Sequence, residues 1–250
     1  MVLSTRVSLQ WLPDEPQECT NTMVFTSLKD HFVDVRIYKD QYPYRQSGDT
    51  PEKFENVFQW VIVGDEEEIE GTNQIQFNHT VNSQEIMKSL VSGKPLSECR
   101  SAPDIGSFWA IEGTEDRKET GSMAHPDTGI KTEYVEIWRS LNPNASSVKR
   151  EVREGYDVTG LATQDAPGPV MTFDLKADGF IGRIIRLGNW VQGVIYEENE
   201  RRFPISVMRS FWDADSGVWQ ELVGYGKHEF PEIYKSEGTC RLPGSWELVE

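Results

Sequence analysis

Histidines, cysteines and an excess of carboxylates are the side chains from which this 250-residue sequence could build a reactive centre. Nucleophilic catalysis needs a serine, cysteine or similar group held beside a base. There is no G-x-S-x-G elbow, and His31, His79, His125 and His228 fall in turns, at a strand end and in a loop, outside any catalytic motif. Cys19, Cys99 and Cys240 stand far apart and form no C-x-x-C pair, so neither a zinc ribbon nor a thioredoxin-like centre is visible. An odd number of scattered thiols suits a reducing compartment. H-E-x-x-H, calcium-loop, G-x-G-x-x-G and Walker A patterns are absent. Asp213, Asp215 and Ser216 lack calcium-loop spacing, and Gly217 reads as a turn residue. Carboxylates are abundant, but no spacing singles out a general acid. The expectation is a non-enzymatic protein without metal or cofactor.

Two other features point to binding. Trp60, Trp109, Trp138 and Trp190 lie in or beside β-type runs, where they either line a pocket for an apolar ligand or fill a core. Asp65, Glu66, Glu67 and Glu68, with Glu70, form an acidic run that reads as a solvated turn and as a docking surface for a basic partner. Glu98-Cys99-Arg100-Ser101 places an acid three residues before a serine, the pattern an acid-directed kinase would read. The net charge of −16 argues against nucleic acid and anionic membranes, which require a basic surface. The best apolar run, Val57 to Gly64, is broken by Gln59 and is far too short to cross a bilayer. Met1 to Pro13 has no secretory-signal pattern.

These residues need strands to position them. Period-two alternation dominates the chain. Met23–Leu28 and Phe32–Tyr38 read as strands, with Phe32, Asp34 and Arg36 on one face and Val33, Val35 and Ile37 on the other. Phe54–Gly64, Ile69–Asn78, Phe108–Glu112 and Thr132–Leu141 continue the pattern. Ser83–Val91 is the single expected helix, ended by Ser92-Gly93-Lys94-Pro95. Linker-like composition at 142–147 divides the chain into 1–141 and 142–250. The second half offers Val152–Leu161, a Val170–Leu175/Phe180–Leu187 hairpin through Asp178-Gly179, and strands at Trp190–Tyr196, Ile205–Trp212, Val218–Tyr225 and Trp246–Val249. An all-β chain of two small antiparallel up-and-down barrels in tandem follows. G-x-W occurs at Gly188–Trp190 and Gly244–Trp246, a weak lipocalin-like signal.

Several segments in order resemble the fungal Hri family. They are Phe58-Gln59-Trp60 with Gly64; Glu119-Thr120-Gly121; Val135-Glu136-Ile137-Trp138 running to Asn142-Pro143; Asn189-Trp190-Val191-Gln192-Gly193; and Gly224-Tyr225-Gly226-Lys227 followed by Pro231 and Tyr234. The resemblance implies two lipocalin-like barrels, a non-enzymatic protein, and a cytoplasmic or nuclear location. It also implies a casein kinase 1 type protein kinase as partner and a link to the secretory translocation machinery. It carries over no catalytic or ligand residues. The rival reading is a carrier of a small apolar ligand.

Overall fold

The structure, a computed structural model, describes residues 1–48, 50–126, 128–144, 168–235 and 245–250. The first half runs β1 (Val2–Trp11), β2 (Thr20–Thr26), β3 (His31–Tyr38), the two-residue β4 (Tyr44–Arg45), helix α1 (Phe54–Val57), β5 (Phe58–Glu68), β6 (Gln74–Asn82), helix α2 (Ser83–Ser92), β7 (Asp104–Ala110), β8 (Asp116–Ala124) and β9 (Lys131–Leu141). Apart from β4, these strands close into a barrel in the order β1-β2-β3-β5-β6-β7-β8-β9, with β9 returning antiparallel to β1. Closure leaves no unpaired edge. The expected helix is α2. Asn82 caps it by accepting hydrogen bonds from the N–H groups of Gln84 and Glu85, and Gly93 ends it at φ 69°.

The barrel wall built from β1, β2, β3 and β5 is apolar on its outside. In β3, Val33, Val35 and Ile37 are fully buried against other elements, whereas Phe32, Asp34 and Arg36 face the lumen. Leu3, Met23, Phe25, Val61 and Val63 join the outer apolar wall. The cover is the second half: β10 (Val170–Ala177), β11 (Phe180–Leu187), β12 (Trp190–Glu197), β13 (Ile205–Asp213), β14 (Val218–Tyr225) and β15 (Trp246–Leu248). They form a seven-stranded sheet ordered β15-β10-β11-β12-β13-β14-β4, in which β4 comes from the first half and pairs parallel with β14. Ile185, Leu187, Trp190, Val194, Val207 and Phe211 share one core with the barrel wall. Burying each such side chain contributes roughly 1.5–3 kcal/mol.

The expectation of two barrels therefore needs correction, since the second sheet is not closed among the described residues. The reason is that both of its faces are already covered. The face opposite the barrel carries Ile184, Val191, Ile195 and Met208, which pack with Ile233, Tyr234 and Trp246. Polar ties also cross the interface: Gln192 Nε2 donates to the Met23 and Val33 carbonyl oxygens at 3.1 and 2.9 Å.

Three local expectations also change. Asp65–Glu68 is not a turn but the end of β5. Residues 54–57 form a helical turn rather than the start of a strand. Met1–Pro13, left without a strand in the pattern, contains β1, whose lumen-facing residues include polar Ser4 and Arg6 and so mask the alternation. The Asp178-Gly179 turn forms, with Gly179 at φ 76°. Val152–Leu161, Cys240 and Gly244 lie outside the described residues.

Candidate functional site

The lumen holds a cavity of about 90 Å³ whose wall mixes rings with charges. Alternation in each strand places them there: Phe32, Asp34 and Arg36 from β3, Trp60 and Ile62 from β5, Phe77 and His79 from β6, Glu119 from β8, and Tyr134, Glu136 and Trp138 from β9. A second cleft of about 300 Å³ adjoins it, sharing Arg36, Trp60, Met123, Tyr134 and Glu136. Its further walls come from Arg6, Trp11, Cys19, Gln59 and His125, around the β1–β2 and β8–β9 loops. This cleft is the mouth of the barrel.

The charges are linked in a network. Arg6 donates to Glu18 and Glu136, each at 2.6 Å. Burial opposes the charge of Arg6, but Glu136 and Glu18 outweigh it and hold its pKa above the ordinary value. Arg36 donates to Asp34 through Nε at 2.9 Å and lies over the Trp60 ring at 4.8 Å and the Trp138 ring at 5.9 Å. Glu119 accepts from the Tyr134 hydroxyl and from Trp138 Nε1, both at 2.8 Å. Burial, helped by nearby Glu136, pushes its pKa up to about 8. Glu66 is pushed up to about 7, chiefly by burial. His79 approaches Asp104 at 3.6 Å; burial lowers the histidine and raises the acid.

Two polar atoms of this wall have no partner from the chain itself. Asp34 Oδ1 and Ser4 Oγ, atoms of two residues that line the cavity, are buried and have no hydrogen-bond partner among the described residues. Each residue is only 3% exposed. A buried acceptor without a donor costs free energy unless something fills it. The site can therefore hold a small guest by hydrogen bonds, charge and ring contacts.

The expected tryptophans separate. Trp60 and Trp138 line the lumen. Trp109 is 44% exposed on the barrel surface, where Lys118 lies over its ring at 5.2 Å. Trp190 is buried between barrel and sheet, 5.6 Å from Phe211 by ring centroids. The acidic run also divides. Asp65 pairs with His31 at 2.5 Å and with Arg183 of β11 at 3.0 Å, and Glu66 turns into the lumen. Glu67, Glu68 and Glu70 are exposed. Ser101 is held by Glu85, which accepts from its hydroxyl at 2.6 Å and its N–H at 2.8 Å. Among the histidines, only His79 lines the cavity. Among the described residues, no three His, Cys, Asp or Glu side chains are placed to hold a metal ion, and no helix is long and apolar enough to cross a membrane.

Sequence reasoning missed Ser4, Asp34, Arg36, Glu119 and Glu136 as site residues. The signal was the face shared by Phe32, Asp34 and Arg36: charges that alternate with rings belong to a polar lumen when the opposite face is all valine and isoleucine.

The chain resembles known proteins over nearly its whole length. A Kluyveromyces lactis protein named Protein HRI1 is 23% identical over 261 residues, covering 99% of this chain and 98% of the relative. The Saccharomyces cerevisiae Protein HRI1 is 22% identical over 246 residues, with 94% and 93% covered. A crystal structure of protein YLR301w from Saccharomyces cerevisiae has the same fold, with a TM-score of 0.71 at 19% identity, covering 100% of this chain and 98% of that one. The family model described as Protein HRI1 matches residues 2–248, and the chain belongs to that family.

Proposed function

We propose that the protein is a non-enzymatic binding protein whose barrel encloses a small ligand. One observation carries the reading: Asp34 Oδ1 and Ser4 Oγ, both buried and without a hydrogen-bond partner among the described residues, belong to residues that line a cavity adjoining a larger cleft. The lining departs from the apolar pocket expected of a lipocalin-like carrier, because charged groups stand among the rings. Native mass spectrometry of freshly purified protein is expected to show mass beyond that of the chain. Ile62→Trp, which fills the lumen, is expected to remove it. No added mass in the unaltered protein, with no saturable change in tryptophan fluorescence on adding small amphiphiles, would sink the reading.

A second reading keeps a casein kinase 1 type protein kinase as partner. It is supported by the exposed Glu67 and Glu68 at the end of β5 and Glu70 on the connection to β6, a narrower acidic surface than the whole run. Changing these three to Gln is expected to weaken kinase binding several-fold at low salt and less at high salt. Calorimetry at two salt concentrations checks this; unchanged affinity at low salt rejects acidic docking.

A further inference from the structure

We propose that the lumen's ligand is a small organic cation, a primary amine on an aromatic or aliphatic body, with its ammonium group against Asp34 and its body against Phe32 and Phe77. The proposal rests on the ligand-binding reading above and assigns its chemical class.

Asp34 is the first observation. Its Oδ2 already accepts from Arg36 Nε and Nη2 at 2.9 and 2.8 Å. Its Oδ1 has no donor among the described residues, although the residue is only 3% exposed. Burial raises the Asp34 pKa and the Arg36 guanidinium opposes that shift. The ionised carboxylate is acceptor-only, so the group that completes this contact donates, and a cation there favours the ionised form. Register puts Ser4 in the same belt: Ser4 pairs with Val24, and Val24 pairs with Asp34. Two unpartnered oxygens thus sit two strands apart, which is about 10 Å between backbones.

The charge balance around them points the same way. Asp34, Asp104 and Glu136 line the cavity against Arg36, Arg117 and His79, and Glu66 and Glu119, which burial raises to about 7 and about 8, add oxygen acceptors more than full charges at neutral pH. Arg36 is committed to Asp34 and Glu136. Arg6, at the mouth, is committed to Glu18 and Glu136. Arg117 Nε lacks a hydrogen-bond partner, but its charge acts on Glu66 and its guanidinium lies 5.6 Å from the Phe108 ring centroid. An entering anion would meet carboxylates around Asp34, where the neighbouring guanidinium, Arg36, is already paired. An entering cation would meet acceptors and aromatic faces, both of which attract it. Phe32 and Phe77 stand edge to face at 5.9 Å beside Asp34's belt, a wall for the apolar part of the ligand.

Three isosteric probes test the assignment: phenethylamine, 2-phenylethanol and phenylacetate, titrated by calorimetry and tryptophan fluorescence at neutral pH and low salt. Phenethylamine is expected to bind saturably at one site, at least about tenfold tighter than 2-phenylethanol, with phenylacetate weakest. Asp34→Asn is expected to cost phenethylamine about tenfold or more and leave 2-phenylethanol unchanged. Ser4→Ala, which leaves the Arg36 pairing intact, is expected to weaken the amine by a smaller factor and serves if Asp34→Asn misfolds by near-UV circular dichroism. Phenylacetate or 2-phenylethanol binding as tightly as the amine would overturn the cation assignment while leaving a ligand-binding barrel. Amine binding undiminished in both variants would overturn its placement at Asp34. Saturable binding by none of the three would overturn both the assignment and the reading beneath it.

Discussion

Glu119 accepts one hydrogen bond on each carboxylate oxygen, from Tyr134 and Trp138, and the arrangement requires glycine on both sides. A Cβ on Gly106 would collide with the Glu119 carboxylate, and one on Gly121 with the Tyr134 hydroxyl. The two donors favour the ionised form, but burial wins and places the pKa near 8. The sign of the resulting pH dependence follows from proton binding. An acid whose folded pKa lies above its unfolded value of 4.5 holds a proton in the native state that the unfolded state has lost. Stability therefore falls as pH rises from about 5 to about 8, and Glu66, at about 7, adds in the same direction. Glu119→Gln, which keeps an acceptor for one donor, is expected to flatten this decline. Urea denaturation across that range checks it; an identical pH slope in the variant would show that Glu119 does not carry the effect.

At the scale of elements, alternation made most strands legible. Phe32–Tyr38 carried enough information to divide its residues correctly between two faces, and the Asp178-Gly179 hairpin formed because a glycine there tolerates positive φ. What the pattern could not give was which face is inside. Polar residues are ordinarily assigned to water, whereas here Asp34 and Arg36 line a lumen and the valines face another sheet. β1 was hidden for the same reason, since burial on both sides with Ser4 and Arg6 pointing inward erases the contrast on which periodicity depends. The acidic run read as a turn because four consecutive charges look solvated. In β5 the alternation sends Asp65 toward Arg183 and Glu66 into the lumen, so neighbours in sequence serve different surfaces. The tryptophans could not be sorted in advance, because Trp60 and Trp190 occupy similar apolar strands and differ only in what the opposite layer supplies.

At the scale of the whole molecule, the barrel and the second sheet share one core, and polar side chains cross it. Gln192 holds the Met23 and Val33 carbonyls and also accepts from Arg209 Nε at 2.7 Å; Arg209 in turn donates to the Val35 carbonyl at 3.0 Å. Arg209 is fully buried, and a guanidinium stripped of a partner in such a place is costly. Gln192→Leu is expected to destabilise the protein by about 2–4 kcal/mol. Unfolding is expected to remain one transition, followed together by tryptophan fluorescence and far-UV circular dichroism. Two separated transitions, with only one of them shifted by the substitution, would mean that the halves fold independently.

The outward apolar wall also has a consequence for synthesis. A ribosome releases β1 through β9 before it has made the sheet that covers them, and the main covering strands end only at Tyr225. At bacterial to eukaryotic elongation rates of about 5–20 residues per second, synthesis from Leu141 to Tyr225 takes roughly 4–17 seconds, and for all of it Met23, Phe25, Val33 and Val35 lack their native cover. During that interval the nascent barrel is a client for whatever shields apolar surface in the cell.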